Sequence, residues 1–467
     1  MNARTPNEST TKSTHPRGST ASASAVPEVT EKGRPGRPSE ADIQRAISKR
    51  DLVVDLARVV CVLTVVVVHT LFVGVRETPN GFDIEKTVEL QWWFNGVSWV
   101  FEIMPLFFVV GGFAAATAYR SALKKGRDAG DYLRGRILRL ARPALPVFVF
   151  FAIALGTVKL MGIDPALVDG VAVGIGSPLW FLSSFLIAQS TVPLMVKLHE
   201  SRPVTTFLTL VAASLIVDIV RWVLGGTAEY GFPNVLFVWV AVQQLGFFMH
   251  DGWFRNRRKI ELIGIIVLAY ATLWASVRFG GYSPNMLQNQ YPPTVPLILL
   301  GIAQVSALEL FRAPLEALMR TRPAQMLVWW VGSRAMTIYC WHMPVILLLV
   351  GVMILLPGTL TEPGTPQWWL ERIPFVLAVL AIVGVLSIWL KRFEAAPPPI
   401  PEGKARPTMT RIAIAMAAFC VAPFLIMVFG LDVWLAVLGL VGTVACLWLL
   451  RPGPIAGIRR TNASVSV

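Results

Sequence analysis

The sequence contains 467 residues, of which 54% are hydrophobic and only 15% are charged. Soluble domains usually have about a quarter charged residues, so this composition excludes an ordinary soluble globular protein. The formal net charge of +14 does not indicate nucleic-acid binding. The basic residues cluster in alternate segments between apolar runs, which is the distribution that the positive-inside rule predicts for a membrane protein.

The first segment, residues 1–49, is rich in serine, threonine, proline and charged side chains and lacks aliphatic periodicity. Such a segment buries too little apolar surface to fold, so we predict a disordered basic cytoplasmic tail. The first apolar run begins only after residue 50, and no cleavable signal peptide is expected.

Twelve apolar runs follow the tail, most of them close to the length that a helix needs to cross a bilayer. Backbone polar groups in lipid must be satisfied within the segment, so these runs predict helices and an all-α polytopic membrane protein. Ten runs form a predicted transmembrane core within residues 50–392, near 52–75, 95–119, 143–163, 178–196, 204–224, 232–250, 260–277, 292–311, 327–353 and 371–390. A Pro-rich linker at 393–410 leads to two additional C-terminal helices within 411–450, and residues 451–467 form a second predicted cytoplasmic tail.

The segments between the runs alternate in charge. Residues 120–142, after the second run, are heavily basic, whereas residues 76–94, after the first, carry mainly acids. Basic segments stay in the cytoplasm, so we predict that 120–142 is cytoplasmic, that 76–94 is external, and that both termini are cytoplasmic. Trp92 and Trp93 lie at a predicted outer boundary, as residues of an aromatic belt do. The predicted location is therefore the cell membrane.

The first apolar run contains three ionisable side chains, Asp55, Arg58 and His69. Eleven positions rotate a helix by roughly 1100°, so Arg58 and His69 share one face, about 16 Å apart along the axis. Asp55 precedes Arg58 by three residues and is predicted to pair with it. A charge at mid-membrane costs at least ~2.5–3.5 kcal/mol, so such groups usually mark function. Two interpretations of His69 stay open: a neutral histidine hydrogen-bonded to a neighbouring helix, or an acid/base or nucleophilic imidazole that faces an interior cavity.

Five stretches, in order along the chain, resemble the membrane acyltransferase-3 family. The first run resembles its opening helix, which has an arginine and a histidine separated by ten residues. "MPLFFVVGGF" resembles its FFxxSGF segment, and "YLRGRILRLARPALP" resembles its arginine-rich approach to the third span. "SPLWFLSSFLIAQ" is similar to its WFL span, and "MTIYCWHMPV" to its late Tyr-x-x-His-x-Pro span. The resemblance covers about residues 50–392; Gly111 stands where the family often has serine, and the last two runs lie outside.

The resemblance implies an integral membrane O-acyltransferase that uses acyl-CoA as cosubstrate, with no metal. It implies that His69 takes the proton of an acceptor hydroxyl or transiently carries the acyl group. It further implies that Arg58 stabilises negative charge on the thioester or on the donor phosphates, that Asp55 holds Arg58 in place, and that Trp180 binds substrate. The acceptors that it implies are carbohydrates or glycosylated small molecules.

Four arginines follow the second run: Arg134, Arg136, Arg139 and Arg142. The last three are spaced i, i+3, i+6 and line one edge of a helix. Positive-inside topology alone explains arginines at this place. Alternatively, guanidinium groups suit the phosphates of coenzyme A, where lysine would have served topology equally well. The resemblance favours this second interpretation, with Arg134 binding the cosubstrate and the other three binding substrate.

Further polar residues lie within apolar runs. Arg334 and His342 are eight positions apart and share a face within about 80°. They form either a core polar pair or part of the lining of the active cavity, and we assign them to substrate binding. Glu102 has no obvious partner in the sequence and could pair in space with the histidine of the first run. Asp218 and Arg221 are predicted to neutralise each other.

The residues by themselves leave two function classes open. One is the acyltransferase, and the other is a proton-coupled secondary transporter whose path is formed by the intramembrane Asp, Arg and His side chains. Twelve spans with both termini inside are common among transporters. The sequence has no matched halves with paired Gly- or Pro-broken spans, which many transporters have. The arginines after the second run suit a soluble anionic cosubstrate, so the acyltransferase is preferred.

Overall fold

The computed structural model describes residues 50–79, 81–162, 177–356, 358–401 and 403–454. Three predicted segments lie outside the described residues, wholly or in part: the tail at 1–49, most of the acidic loop after the third apolar run, and the second tail beyond residue 454. The described residues from Asp51 onward form one compact unit.

The described chain is a succession of helices joined mostly by short connections, with two small antiparallel ribbons. The first half comprises α1 (Leu52–Phe72), β1 (Val73–Thr78), β2 (Gly81–Lys86), α2 (Phe94–Phe101), α3 (Met104–Lys124), α4 (Ala129–Leu160), α5 (Trp180–Ser190), α6 (Val192–Ser201), α7 (Pro203–Val223) and α8 (Asn234–His250). The second half comprises α9 (Lys259–Phe279), α10 (Val295–Leu310), α11 (Arg312–Leu318), α12 (Arg322–Gly332), α13 (Ala335–Leu355), α14 (Pro366–Glu394), β3 (Lys404–Ala405), α15 (Met409–Phe429), α16 (Val433–Leu449) and β4 (Gly453–Pro454).

The predicted class, a helical multi-pass membrane protein, is confirmed. Within the described residues, nine helical segments are long and apolar enough to cross a bilayer. Two bent pairs, α5 with α6 at 47° and α10 with α11 at 61°, raise the number to eleven if each pair is one span. Helix α16 is also apolar but has only 17 residues. The arrangement of ten spans plus two therefore stays a prediction.

Several predicted runs differ from the helices that form, and those near 95–119 and 178–196 are each divided between two helices. The run near 327–353 is two helices, because the chain breaks between α12 and α13 at Arg334. Its guanidinium donates to the carbonyl of Trp330 at 3.0 Å and lies over the Trp330 ring, which holds the chain in a non-helical turn. The run near 143–163 belongs to α4, which starts 14 residues earlier at Ala129, where the Asp128 side chain caps it by accepting the Asp131 amide proton.

Helix α1 lies at the centre of the domain, in contact with α3, α12, α13 and α14. Asp51 caps its first turn by accepting the amide protons of Val53 and Val54 at 3.1 and 3.2 Å. The same carboxylate binds Arg255 and Arg312, which ties the start of α1 to two other segments. Burial raises the pKa of the Asp51 carboxyl, but hydrogen bonding and charge from Arg312 outweigh burial, so this pKa lies below its ordinary value. We call this end of the domain the Asp51 end.

The opposite end of α1 runs directly into the hairpin formed by β1 and β2, whose register pairs Val73 with Lys86. A guanidinium from α14 reaches this hairpin, since Arg372 donates to the carbonyl of Val73 at 3.3 Å. Arg76 on β1 forms ion pairs with Glu85 and with Glu362 in the segment before α14. We call this end of the domain the hairpin end.

Helices α15 and α16 form a hairpin that packs against α4 and α5. Glycines allow the close approach: a Cβ at Gly442 would lie 2.2 Å from the carbonyl oxygen of Ala418, and one at Gly439 would lie 2.3 Å from the ring of Phe148. The two additional C-terminal helices therefore pack closely against α4, which carries the four arginines between Arg134 and Arg142.

Candidate active site

A cavity of about 390 Å³ lies at the hairpin end of α1. Five parts of the chain contribute to its wall: the last turns of α1, the segment after β2, the junction of α2 and α3, the start of α5, and the segment before α10, with one tyrosine from α13. The side chains that carry chemistry are His69, Lys86, Glu89, Glu102, Trp180, Gln288, Gln290, Tyr291 and Tyr339. The wall thus combines an imidazole with carboxyl, amide, ammonium and aromatic groups.

His69 lies on this wall, half-buried, one turn before the end of α1. Its Nδ1 is 2.8 Å from the carbonyl oxygen of Val65. A carbonyl only accepts, so this bond places a proton on Nδ1 and leaves the lone pair of a neutral ring on Nε2. Such a ring can remove a proton from a hydroxyl group.

His342 is fully buried on α13 and packs against His69, with the ring centroids 5.0 Å apart at an interplanar angle of 68°. Its Nδ1 contacts the Tyr339 carbonyl, and its buried Nε2 has no hydrogen-bond partner among the described residues. His342 is not among the residues that line the cavity. The predicted pairing with Arg334 is not observed, because Arg334 binds Trp330 and Ser333 instead. The structure therefore places His342 in contact with His69 rather than with Arg334.

Arg58 and Asp55 form the predicted ion pair, with Nη2 and Oδ1 at 2.9 Å. They lie in the half of α1 nearer the Asp51 end, whereas the cavity begins at Thr64. Positive charges from α4 lie close by, since Arg58 and Arg136 both act electrostatically on Arg139. We refer to Arg58, Arg136 and Arg139 as the cationic cluster. Asp55 pairs with Arg58, and Arg136 donates to the carbonyl of Ala114 at 3.2 Å.

The other two arginines of α4 contact main-chain carbonyls in distant segments. Arg134 is buried, and its Nε donates to the carbonyl of Leu450 at the end of α16 at 3.0 Å. Arg142 donates to the carbonyl of Ala395, just after α14, at 3.1 Å. The four arginines that the sequence groups together therefore face different neighbours.

Aromatic rings form one side of the cavity. Trp180 is buried and lies edge to face with Tyr291, their centroids 5.3 Å apart, and stacks on Trp239 at 5.8 Å. The hydroxyl of Tyr339 donates to the carbonyl of Pro178, which ties α13 to the turn before α5. The structure thus places Trp180 on the cavity wall, where a ring face can pack on a ligand.

Sequence reasoning missed the polar residues that precede α10, Gln288 and Gln290, because nothing in that connecting segment distinguishes them. Glu102 carried a signal, as an acid inside an apolar run, and it does line the cavity with His69. No hydrogen bond or ion pair joins the two among the described residues, so their suggested pairing is not observed. Asp218 and Arg221 form no direct ion pair among the described residues, although the charge of Arg221 acts on Asp218. Asp218 instead accepts hydrogen bonds from Asn234, Tyr282 and the amide of Val295. Burial favours these short bonds, while the guanidinium of Arg221 donates to the carbonyl of Gly226 in the loop after its own helix.

The model of a family described as an acyltransferase domain matches residues 51–392. The chain belongs to the membrane acyltransferase-3 family. No curated protein and no solved structure matches the chain in the same comparisons. The matched range of this acyltransferase-family chain contains the whole cavity and the cationic cluster, whereas α15 and α16 lie beyond it.

The glycine that departs from the family's serine has a structural explanation. A Cβ at Gly111 would lie 2.9 Å from the ring of Phe185 on α5. The space that a serine side chain would need is therefore filled by a phenylalanine ring. Phe185 also packs edge to face against Phe107 and Phe108, which joins α3 to α5.

Proposed function

We propose that the protein transfers an acyl group from acyl-CoA to a hydroxyl of a carbohydrate or glycosylated acceptor. The observation that carries the proposal is the position of His69, whose Nδ1 is bonded to Val65 while the ring lies on the wall of a cavity large enough for a sugar. Family membership supplies the reaction class.

In the proposed reaction, the acceptor hydroxyl oxygen attacks the thioester carbonyl carbon, and Nε2 of His69 takes the hydroxyl proton. The C–S bond then breaks, the acceptor leaves as an ester, and the proton passes from His69 to the thiolate of coenzyme A. The bond from Nδ1 to Val65 keeps the imidazole oriented while Nε2 gains and loses this proton. No metal is needed for this step.

The donor phosphates are assigned to the cationic cluster of Arg58, Arg136 and Arg139. Guanidinium groups bind phosphate oxygens through paired N–H donors, and Arg58 and Arg136 both act electrostatically on Arg139. Arg58 and His69 are about 16 Å apart along α1. The pantetheine arm of coenzyme A, which separates the phosphates from the thioester, is a linear chain suited to such a separation. This favours binding of phosphates at the cluster and of the thioester near His69.

The acceptor is assigned to the cavity. Aromatic faces such as Trp180 pack on the apolar faces of sugar rings, while amides and carboxyl groups such as Gln288 and Glu89 bind hydroxyls. Lys86 and Glu89 form an ion pair at 3.7 Å, so their charges largely offset each other and the cavity does not require a charged acceptor.

The proposal is tested with the purified full chain in detergent and radiolabelled acetyl-CoA, with release of the free thiol as the readout. The wild-type protein is expected to release thiol slowly with water as acceptor, and His69→Gln is expected to abolish the release. His250→Gln, at a half-buried histidine outside the cavity, is the matched control. A folded wild-type protein that releases no thiol from acetyl-CoA or longer acyl-CoA, but moves protons across vesicles, would support the transporter instead.

A further inference from the structure

Glu102 lies where the second membrane segment is interrupted. Helix α2 ends at Phe101 and α3 begins at Met104, with Glu102 in an extended conformation between them. The carboxyl oxygen Oε1 accepts the amide proton of Met104 at 3.1 Å, and the main-chain carbonyl of Glu102 accepts from the Gln304 amide at 2.7 Å. The residue is only 3% exposed. The interruption thus holds this carboxyl group in a fixed position within the domain.

The cap on α3 does not by itself explain a glutamate here. Ser, Thr or Asn caps a helix as well as an acid does, and none of them places an ionisable group inside an apolar segment. A carboxyl group can accept at both of its oxygens, and the Met104 amide uses one position on Oε1. The amide of Gln290, which also lines the cavity, is a second neighbour of the carboxyl. The carboxyl therefore keeps acceptor capacity on the wall that it shares with His69.

We propose that Glu102 is a specificity-determining residue that binds an acceptor hydroxyl adjacent to the one that reacts at His69. This inference rests on the proposed function, since it assumes that the acceptor enters this cavity. A hydroxyl that donates to Glu102 fixes the sugar ring at a second point, so that the neighbouring hydroxyl points to Nε2 of His69. Gln290 and Tyr291 flank the carboxyl and complete a polar corner beside the aromatic wall.

The rigidity of this corner supports the assignment. Pro105, at the second position of α3, has no amide proton, and the Met104 amide before it donates to the Glu102 carboxyl. Gln304 on α10 fixes the main chain on the other side. A carboxyl fixed from two sides loses little side-chain entropy when it binds a ligand, which increases its selectivity for a hydroxyl in one place.

The test combines Glu102→Gln with acceptors that lack single hydroxyls. Glutamine keeps an oxygen for the Met104 amide, so the fold is expected to persist, and thermal unfolding and size-exclusion profiles check this. The purified full chain is assayed with acetyl-CoA and methyl glucoside, and with each singly deoxygenated derivative that still accepts the acyl group. Glu309→Gln is the matched control, because Glu309 is a buried carboxyl paired with Arg312 at the Asp51 end.

In the wild-type protein, loss of one particular hydroxyl is expected to lower kcat/KM by roughly ten- to a hundredfold, because it leaves a buried hydrogen-bonding group without its partner. In Glu102→Gln, loss of the same hydroxyl is expected to lower kcat/KM by less than about threefold. The effects of the substitution and of the missing hydroxyl are then non-additive. Thiol release without acceptor is expected to match the wild type in Glu309→Gln.

Additive losses in Glu102→Gln, or equal losses in Glu309→Gln, would overturn the assignment. A wild-type protein that acylates no glycoside would instead refute the proposed acceptor class. That outcome differs from the ones above, which refute only the role of Glu102.

Discussion

The rings of His69 and His342 lie edge to face, 5.0 Å apart, although the two residues are 273 positions apart in the sequence. Each ring is fixed through Nδ1 to a carbonyl of its own helix, Val65 for the first and Tyr339 for the second. Only His69 reaches the cavity, since His342 lies behind it. The pair therefore consists of one imidazole available to substrate and one that packs against it.

The two histidines are expected to respond differently to substitution. His69→Gln should lower acyl transfer at least about a hundredfold, because glutamine cannot accept a proton at neutral pH. His342→Phe should preserve the edge contact between the rings and remove a buried nitrogen that has no hydrogen-bond partner among the described residues. We therefore expect its rate of acyl transfer to fall by less than about tenfold and its thermal stability to be unchanged. Transfer rates and thermal unfolding of both variants measure this. Equal loss in both would mean that His342 takes part in proton transfer.

Substitutions of different arginines on α4 are expected to affect acetyl-CoA binding differently, because these arginines have different neighbours. Arg139→Lys is expected to weaken acetyl-CoA binding by about tenfold, because lysine keeps the charge but loses the planar guanidinium. Arg142→Lys should weaken it less, since Arg142 binds the Ala395 carbonyl. Arg127→Lys, in the exposed turn before α4, serves as the control. Titration calorimetry with acetyl-CoA provides the affinities, and unchanged binding by Arg139→Lys would leave positive-inside topology as the explanation for that arginine.

The contact between α15 and α16 should depend on a glycine. In Gly442→Ala the new methyl group meets the Ala418 carbonyl, and forced separation of the helices is expected to cost about 1–3 kcal/mol. Gly264→Ala on α9 is the matched control, because a Cβ there meets nothing within 4 Å. Thermal unfolding in detergent should show a lower midpoint for the first variant only. Equal midpoints would argue against the close approach of these helices.

Orientation in the membrane is accessible to labelling, because the four native cysteines are buried and should react little. A cysteine at exposed Glu77, on the hairpin, is expected to react with an impermeant maleimide in intact cells. A cysteine at exposed Lys125, after α3, should react only after permeabilisation. The expectation follows from the excess of basic residues after α3. The reverse pattern would place the Asp51 end outside.

The sequence by itself determined the features that depend on near neighbours along the chain. Apolar runs become helices because their own backbone groups pair within each run, whatever lies beside them. The ion pair of Asp55 with Arg58 follows from a spacing of three residues on one helix. The family likewise follows from short motifs in order, and the match over residues 51–392 agrees with the range predicted from them.

Only the tertiary structure decided which side chains share the cavity. The order of motifs does not specify how each helix rotates about its axis, and that rotation places His342 against His69 and turns Arg134 toward Leu450. The break at Glu102 was also not predictable, because its cap and its Gln304 bond stabilise a non-helical junction inside an apolar run. Contacts between distant segments depend on how complete helices pack together, and a local pattern contains no information about that packing.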